Sequence, residues 1–472
     1  MTLLRLSNVR VVRSSSDGEV SLDASLQDNS TLEELGGFVL GPSGDDVWVR
    51  TCEEEGDGTF VDGERLFWAS KSEDDFYFGK DADDARKNAD ERTLQRIIDC
   101  NNLIAAPGFI DVQINGAFGV DFTSDDVTAE NVDEVARGIL AHGVTAFCPT
   151  IVTSPPEQYR SILPKIRRRK GCARQGAAVL GVHLEGPFMA MEKKGAHRPE
   201  YIRSTCDLSV YGDDLNDLRD VNIITLAPEL DGATDMIRQV SNRGIVASMG
   251  HTMAHYEHAE KAMGAGASCI THLFNAMGTF HHRDPGLTGL VGTPSFRSRL
   301  HYGIIADGLH SHPASVSIAY QSHPQGCVLV TDAMCAMGLG VGSHQLGTMN
   351  VEVKRGTMSG RHGIMAVLSG TETLAGSVAS MDECVRNFNA FTKCGVAAAC
   401  EAASLSPARL LGIDNTKGRI RNGYDADLVL MDDDLNVQAT FVGGACVWCA
   451  DSAPSQVREL LAPRPTVIAD EK

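Results

Sequence analysis

Three residues able to bind a divalent metal close three separate apolar runs: Glu185 in HLEGPF (183–188), His251 in GHT (250–252) and His272 in THLFNAM (271–277). Imidazoles and a carboxylate are the ligand types of catalytic sites, and a set of three leaves a coordination position open for water. A fourth run, LVTDAM (329–334), ends in Asp332, a carboxylate suited to take a proton from that water and later deliver it to a leaving group. A lone histidine in an apolar run is ordinarily a satisfied core residue. Recurrence at the ends of several runs changes that reading. The four residues point to metal-assisted hydrolysis, and amide hydrolysis needs both proton transfers because an amine leaves poorly unless protonated.

Eight short apolar runs alternate with helical patterns, at 103–113, 144–152, 177–185, 222–229, 244–251, 268–275, 300–308 and 327–333. That alternation predicts parallel strands joined by crossover helices. A doubly wound sheet alternates similarly, but polar residues at nearly every strand end favour an α/β fold of the (β/α)8 TIM-like barrel type, whose active site gathers at the C-terminal strand ends. Helices are expected over 127–141 and over 253–263, the second with Thr252 as N-cap. Outside the barrel, short β-rich pieces at 4–12, 45–49, 426–431 and 440–448 predict a small β-sandwich domain built from both chain ends. The expected division is 1–104 and 417–454 for the sandwich, 105–416 for the barrel, and 455–472 for a loose tail. Between about 14 and 91 acids well outnumber bases among serines and glycines, which reads as a long, loop-rich insertion.

The 472 residues are too many for one small core. A net charge of −20 argues against nucleic acid and anionic membrane surfaces as partners. No run is long enough to span a bilayer, and MTLLRLSNVRVV lacks the apolar core of a signal peptide. The thirteen cysteines, an odd and scattered number, suit a reducing compartment, so a cytoplasmic protein is expected. Cys446 and Cys449 form a C-x-x-C without a second pair and read as structural.

The segments PGFIDVQING (107–116), HLEGPF with KKGAH (193–197), GHT, THLFNAM, HHRDPG (281–286), IADGLH (305–310), VTDAM and TLAGS (373–377) occur in one order. In that order the chain closely resembles the N-acetylglucosamine-6-phosphate deacetylases of the amidohydrolase superfamily, from about 103 to 430. The resemblance implies hydrolysis of N-acetyl-D-glucosamine 6-phosphate to D-glucosamine 6-phosphate and acetate. It implies one divalent cation per subunit on Glu185, His251 and His272, zinc first, with iron, cobalt and manganese as the other candidates. Asp332 matches the general base and acid acting on the water at the metal. His197 matches a residue that touches the N-acetyl group and can stabilise an oxyanion. Ala196, Asn275, Ala276, Asp307, Gly308, Leu309, His310, Leu374, Ala375 and Gly376 match substrate contacts. Arg283, whose planar fork suits phosphate, matches an arginine commonly delivered across a homodimer interface.

Many amidohydrolases carry His-x-His after the first strand to hold a second metal. Here Gln113 and Asn115 occupy those places, and neutral amides are poor zinc ligands. A single tightly bound metal follows. His255 and His258 are expected to face solvent or pack locally, and 167–170 (RRRK) to be a solvated helix end. Two other readings compete: the same site acting on another N-acylated amino sugar or a cyclic amide, and an inactive amidohydrolase-like scaffold. The presence of all three ligands and Asp332 speaks against the second.

Overall fold

The computed structural model describes residues 2–14, 38–40, 45–51, 66–69, 95–212, 218–346, 349–358, 361–371, 374–421 and 423–461. Its centre is a barrel of eight parallel strands: β1 (Phe109–Ile114), β2 (Val144–Val152), β3 (Val182–Glu185), β4 (Val221–Leu226), β5 (Val246–Met249), β6 (Cys269–Ile270), β7 (His301–Ile305) and β8 (Cys327–Val330). Each strand pairs with the next in chain order. The ring comes close to closing through a parallel bridge between Ile114 and Ala333 and a 2.8 Å bond from Asp332 N to Gln113 O.

Strands covered on both faces carry near-continuous apolar runs, and β2 is buried at eight of its nine positions. Alternate side chains serve different layers. Ile110 and Val112 join Ala146, Ile223, Val246, Cys269, Ile305 and Val328, one residue or more from seven of the eight strands, in the packing inside the barrel. Phe109 instead joins the larger cluster that includes the surrounding helices, as does Ile114, beyond the point where the pairing of β1 with β2 shifts register.

The chain departs from the expected element limits in several places. The run 103–113 divides at Gly108: Ile104–Pro107 pairs antiparallel with Leu428–Met431, while β1 enters the barrel. An added Cβ at Gly108 would lie 2.2 Å from Thr145 Oγ1, so the crossing needs glycine. The run 177–185 also divides, into Ala178–Val179 and β3. The first expected helix is Ala129–Gly138 with a capping box on Thr128 and Asn131, followed by a 3-10 turn. The second is Tyr256–Ala265, with His255 at the N-cap position; Asp284 Oδ1, and not the His255 side chain, accepts from Tyr256 N at 3.0 Å. Thr252 is not its cap, because its hydroxyl is bonded to Glu229 at 2.5 Å and accepts from Ala254 N.

Both chain ends enter one nine-stranded sheet, in which Thr2–Ser14 lies parallel to Ile104–Pro107 and Gln95–Asp99, and antiparallel to Asp45–Thr51. Within the stretch read as loop-rich, Phe38–Leu40, Asp45–Thr51 and Leu66–Ala69 are strands; its remainder lies outside the described residues. The piece 440–448 is a hairpin, Val437–Val442 and Ala445–Cys449, turning at Gly443 and Gly444. The tail read as loose begins with the helical turn Ser455–Arg458, whose Val457 is buried in the small core; residues 462–472 lie outside the described residues.

Candidate metal and hydrolytic site

The three expected ligands meet at the C-terminal rim of the barrel. Glu185 closes β3, His251 follows β5 and His272 follows β6, and all three are buried. Glu185 Oε1 lies 3.1 Å from His251 Nε2 and 3.0 Å from His272 Nε2, and the two imidazole nitrogens are 3.0 Å apart. His251 Nδ1 donates to Lys193 O at 2.8 Å, which leaves the lone pair on Nε2, facing the cluster. Burial alone would raise the Glu185 carboxyl, but the two imidazoles beside it outweigh that and hold the group well below the ordinary range. An ionised carboxylate and two converging ring nitrogens fit a divalent cation by donor chemistry.

The backbone at these strand ends is unusual. His251, His272 and Asp332 have φ of 50°, 31° and 47°, in the left-handed region that non-glycine residues seldom occupy. Each such turn costs on the order of 1–3 kcal/mol, and here it lifts a functional side chain out of the strand's alternation at the rim.

Asp332, one residue past Thr331 at the end of β8, sits beside this cluster. Its Oδ1 accepts from Asn115 Nδ2 at 2.8 Å and from Gln113 Nε2 at 3.2 Å, and the same Gln113 nitrogen donates to Glu185 Oε1 at 3.1 Å. An amide facing carboxylate oxygens must present its NH2 group. Gln113 therefore ties the two carboxylates together as a donor to both, and Asn115 is a second donor to Asp332. Burial of the carboxyl and the nearby Glu185 charge push Asp332 up to about 6.

His197 is brought over the cluster by the KKGAH loop, its ring edge-on to His251 at 4.6 Å between centroids. Burial, then the proximity of His251, lowers it to about 3, which favours the neutral ring. His310 bonds Asp307 through Nδ1 at 2.6 Å, while Asp307 Oδ1 accepts from the Leu309 and His310 amides. Asp307 thus fixes His310; burial would lower the imidazole, but the bond to Asp307 and its charge outweigh that and raise it. Gly308, at φ 76°, makes the turn between them. Asn275 is half-buried behind His272, Ala276 is held at φ 49°, and its carbonyl accepts from Thr252 N. Leu374–Gly376 forms an edge strand running beside Asp332, with Ser377 N donating to Asp332 O at 3.2 Å. Ala196 and Arg283 are not drawn into the cluster: both are exposed, and no described hydrogen bond or ion pair joins Arg283 to the ligands. His255 pairs with Asp284 on the surface, away from the triad, as its bland reading expects.

Several contributors escape sequence reasoning. His183 donates through Nδ1 to Val112 O and accepts at Nε2 from Thr225 at 2.8 Å; Thr225, Thr271 and Ser248 continue the chain at 2.7 and 2.6 Å. This polar belt spans five strands beneath the ligands, and burial lowers His183 to about 4, keeping it neutral. Asp111 bonds the Thr331 hydroxyl at 2.5 Å, tying β1 to the residue before Asp332. Serine and threonine inside strand runs look like ordinary β-formers, so nothing in their spacing marks the belt.

A nearly closed parallel barrel with a Glu-His-His cluster at its C-terminal rim defines a metal-dependent hydrolase of the amidohydrolase type. The amidohydrolase family matches residues 104–447. The chain is 48% identical over 419 residues to N-acetylglucosamine-6-phosphate deacetylase of Rattus norvegicus, covering 87% of this chain and 93% of the rat protein. It is likewise 48% identical over 420 residues to the Homo sapiens protein of the same name, with the same coverage. Among solved structures it is similar to a mutant N-acetyl-D-glucosamine-6-phosphate deacetylase from Mycobacterium smegmatis in complex with N-acetyl-D-glucosamine-6-phosphate. That match has a TM-score of 0.71 at 27% identity, over 95% of this chain and 100% of the other. The chain therefore belongs to the amidohydrolase family and, within it, to the N-acetylglucosamine-6-phosphate deacetylases.

Proposed function

We propose that this protein hydrolyses N-acetyl-D-glucosamine 6-phosphate to D-glucosamine 6-phosphate and acetate. The observation that carries the reading is the meeting of Glu185, His251 and His272 with Asp332 held beside them by Gln113 and Asn115. The strong similarity to named deacetylases supplies the substrate. A single divalent cation on the three ligands, zinc before iron, cobalt or manganese, supplies Lewis acidity for the acetamide carbonyl and acidifies water. Asp332 takes a proton from the attacking water and returns it to nitrogen as the carbon–nitrogen bond breaks. His197 donates a hydrogen bond to the carbonyl oxygen as negative charge develops there. Arg283, contributed across a homodimer interface, and His310 bind the 6-phosphate. Ala196, Asn275, Ala276, Asp307, Gly308, Leu309, Leu374, Ala375 and Gly376 shape the sugar pocket.

The reading places the protein in the cytosol, with a β-sandwich from 1–104 and 417–454 beside a barrel at 105–416. Among the described residues no helix is long and apolar enough to cross a membrane. The test is acetate release from the phosphorylated and unphosphorylated sugars, with metal content measured on the same sample. Asp332→Asn should retain metal and fold while losing on the order of 10²–10⁴ in kcat. Near-wild-type turnover by that variant would refute the proton-transfer role.

A further inference from the structure

Thr153, in none of the motifs that mark the site, follows β2 directly and is buried beneath His197. Its backbone N–H donates to His197 Nδ1 at 3.3 Å, and its Oγ1 lies 2.9 Å from the same nitrogen. A backbone amide can only donate, so Nδ1 must carry a lone pair. A neutral imidazole then bears its proton on Nε2. Among the described residues, both hydrogen bonds of the His197 ring fall on Nδ1, which leaves Nε2 for the substrate.

We infer that Thr153 is a positioning residue for the hydrolysis, setting the tautomer and ring orientation of His197 so that Nε2–H is presented to the substrate's carbonyl oxygen. The inference rests on the deacetylase reading of the site. The opposite tautomer would aim a lone pair at an oxygen gaining negative charge and would repel it. Thr153 also packs against the ligand strand: its Oγ1 lies 3.4 Å from Glu185 O, a contact and not a bond, because the hydroxyl's one proton goes to Nδ1. The space it fills is kept by Gly186, at φ 88°, where an added Cβ would come within 2.3 Å of that oxygen. Ligand strand, threonine and imidazole therefore form one stack, and the ring is braced from two atoms of one residue.

The test combines Thr153→Val, which keeps the amide and the shape but removes the hydroxyl, with Thr153→Ser, His197→Ala and the Thr153→Val/His197→Ala double variant. Acetate release is followed on the metal-loaded full chain. Thr153→Val should lose on the order of 10- to 100-fold in kcat, with KM and metal content near wild type, and Thr153→Ser should recover most of the loss. In the His197→Ala background Thr153→Val should cost nothing further, since it acts through that ring. A full additional loss there, or loss of metal from Thr153→Val, would assign Thr153 a merely structural role and overturn the inference. Histidine ¹⁵N spectra of the wild type supply the second readout: His197 should show a protonated Nε2, and a protonated Nδ1 would overturn the inference. If the wild type fails to release acetate from the phosphorylated sugar, the deacetylase reading falls, and the spectra still decide what Thr153 does to His197.

Discussion

Asn115 Nδ2 donates to Asp332 Oδ1 at 2.8 Å, joining the end of the first barrel strand to the end of the eighth where the ring closes. The bond falls on the same carboxylate oxygen that accepts from Gln113. It also favours the ionised carboxylate, opposing the burial and the Glu185 charge that raise Asp332. Asn115→Ala should lower kcat about tenfold with little change in metal content. Asp332 must be ionised to accept a proton, so activity is lost as pH falls through its pKa. Losing a bond that lowers that pKa should move the acid limb of the kcat profile to higher pH, and an unmoved limb would count against this role.

Gln113 and Asn115 present NH2 groups to Glu185 and Asp332, so neither offers a lone pair to a cation on that side. Elemental analysis should find one tightly held divalent ion per chain. Chelation should abolish turnover, and one equivalent of zinc should restore it. Two tightly held ions per chain would contradict the donor assignment.

The clustering of Glu185, His251, His272 and Asp332 is legible because each interrupts the end of an apolar run, and a barrel brings such ends together. Eight runs in order were enough to anticipate the barrel. Gly108 was less legible: the break between the outer strand and β1 depends on Thr145 lying across it, a contact with a residue far along the chain. The left-handed turns at His251, His272 and Asp332 were hidden for a related reason, since residues of these types enter that region only when surrounding structure forces them. Thr153 and Thr225 hide in plain strand composition, and Thr252 carries the N-cap signature yet spends its hydroxyl on Glu229. Local pattern marks which residues are polar at a strand end. Partner choice is decided by tertiary packing.

Arg283 is exposed on the loop after Phe280 and has no described bond to the ligands. If it binds phosphate, Arg283→Ala should cost roughly 10- to 100-fold in kcat/KM for the 6-phosphate sugar, the range of a lost charge-assisted bond. The unphosphorylated sugar should be affected little. Steady-state kinetics on both substrates decide the matter, and equal losses on the two would argue for a structural role in the loop instead.

Asp111 supplies a pH-dependent contribution to stability. It is buried between β1 and β8 and bonds the Thr331 hydroxyl and the Gln113 amide. Burial, only partly offset by those bonds, pushes it up to about 7. The unfolded chain releases this proton near the ordinary carboxylate value of about 4. Between about 4 and 7 the native state holds more protons than the unfolded one, so this group's contribution to stability falls as pH rises through that window. Asp111→Asn keeps the shape and provides an NH2 that can donate to the Thr331 hydroxyl in place of the acid proton. Denaturant unfolding from pH 4.5 to 7.5 should therefore show a flatter pH dependence in Asp111→Asn than in the wild type, with the variant gaining relative stability at the upper end. Parallel profiles for the two proteins would mean that Asp111 is ionised throughout the window and that its hydrogen bonds carry the charge without help from a proton.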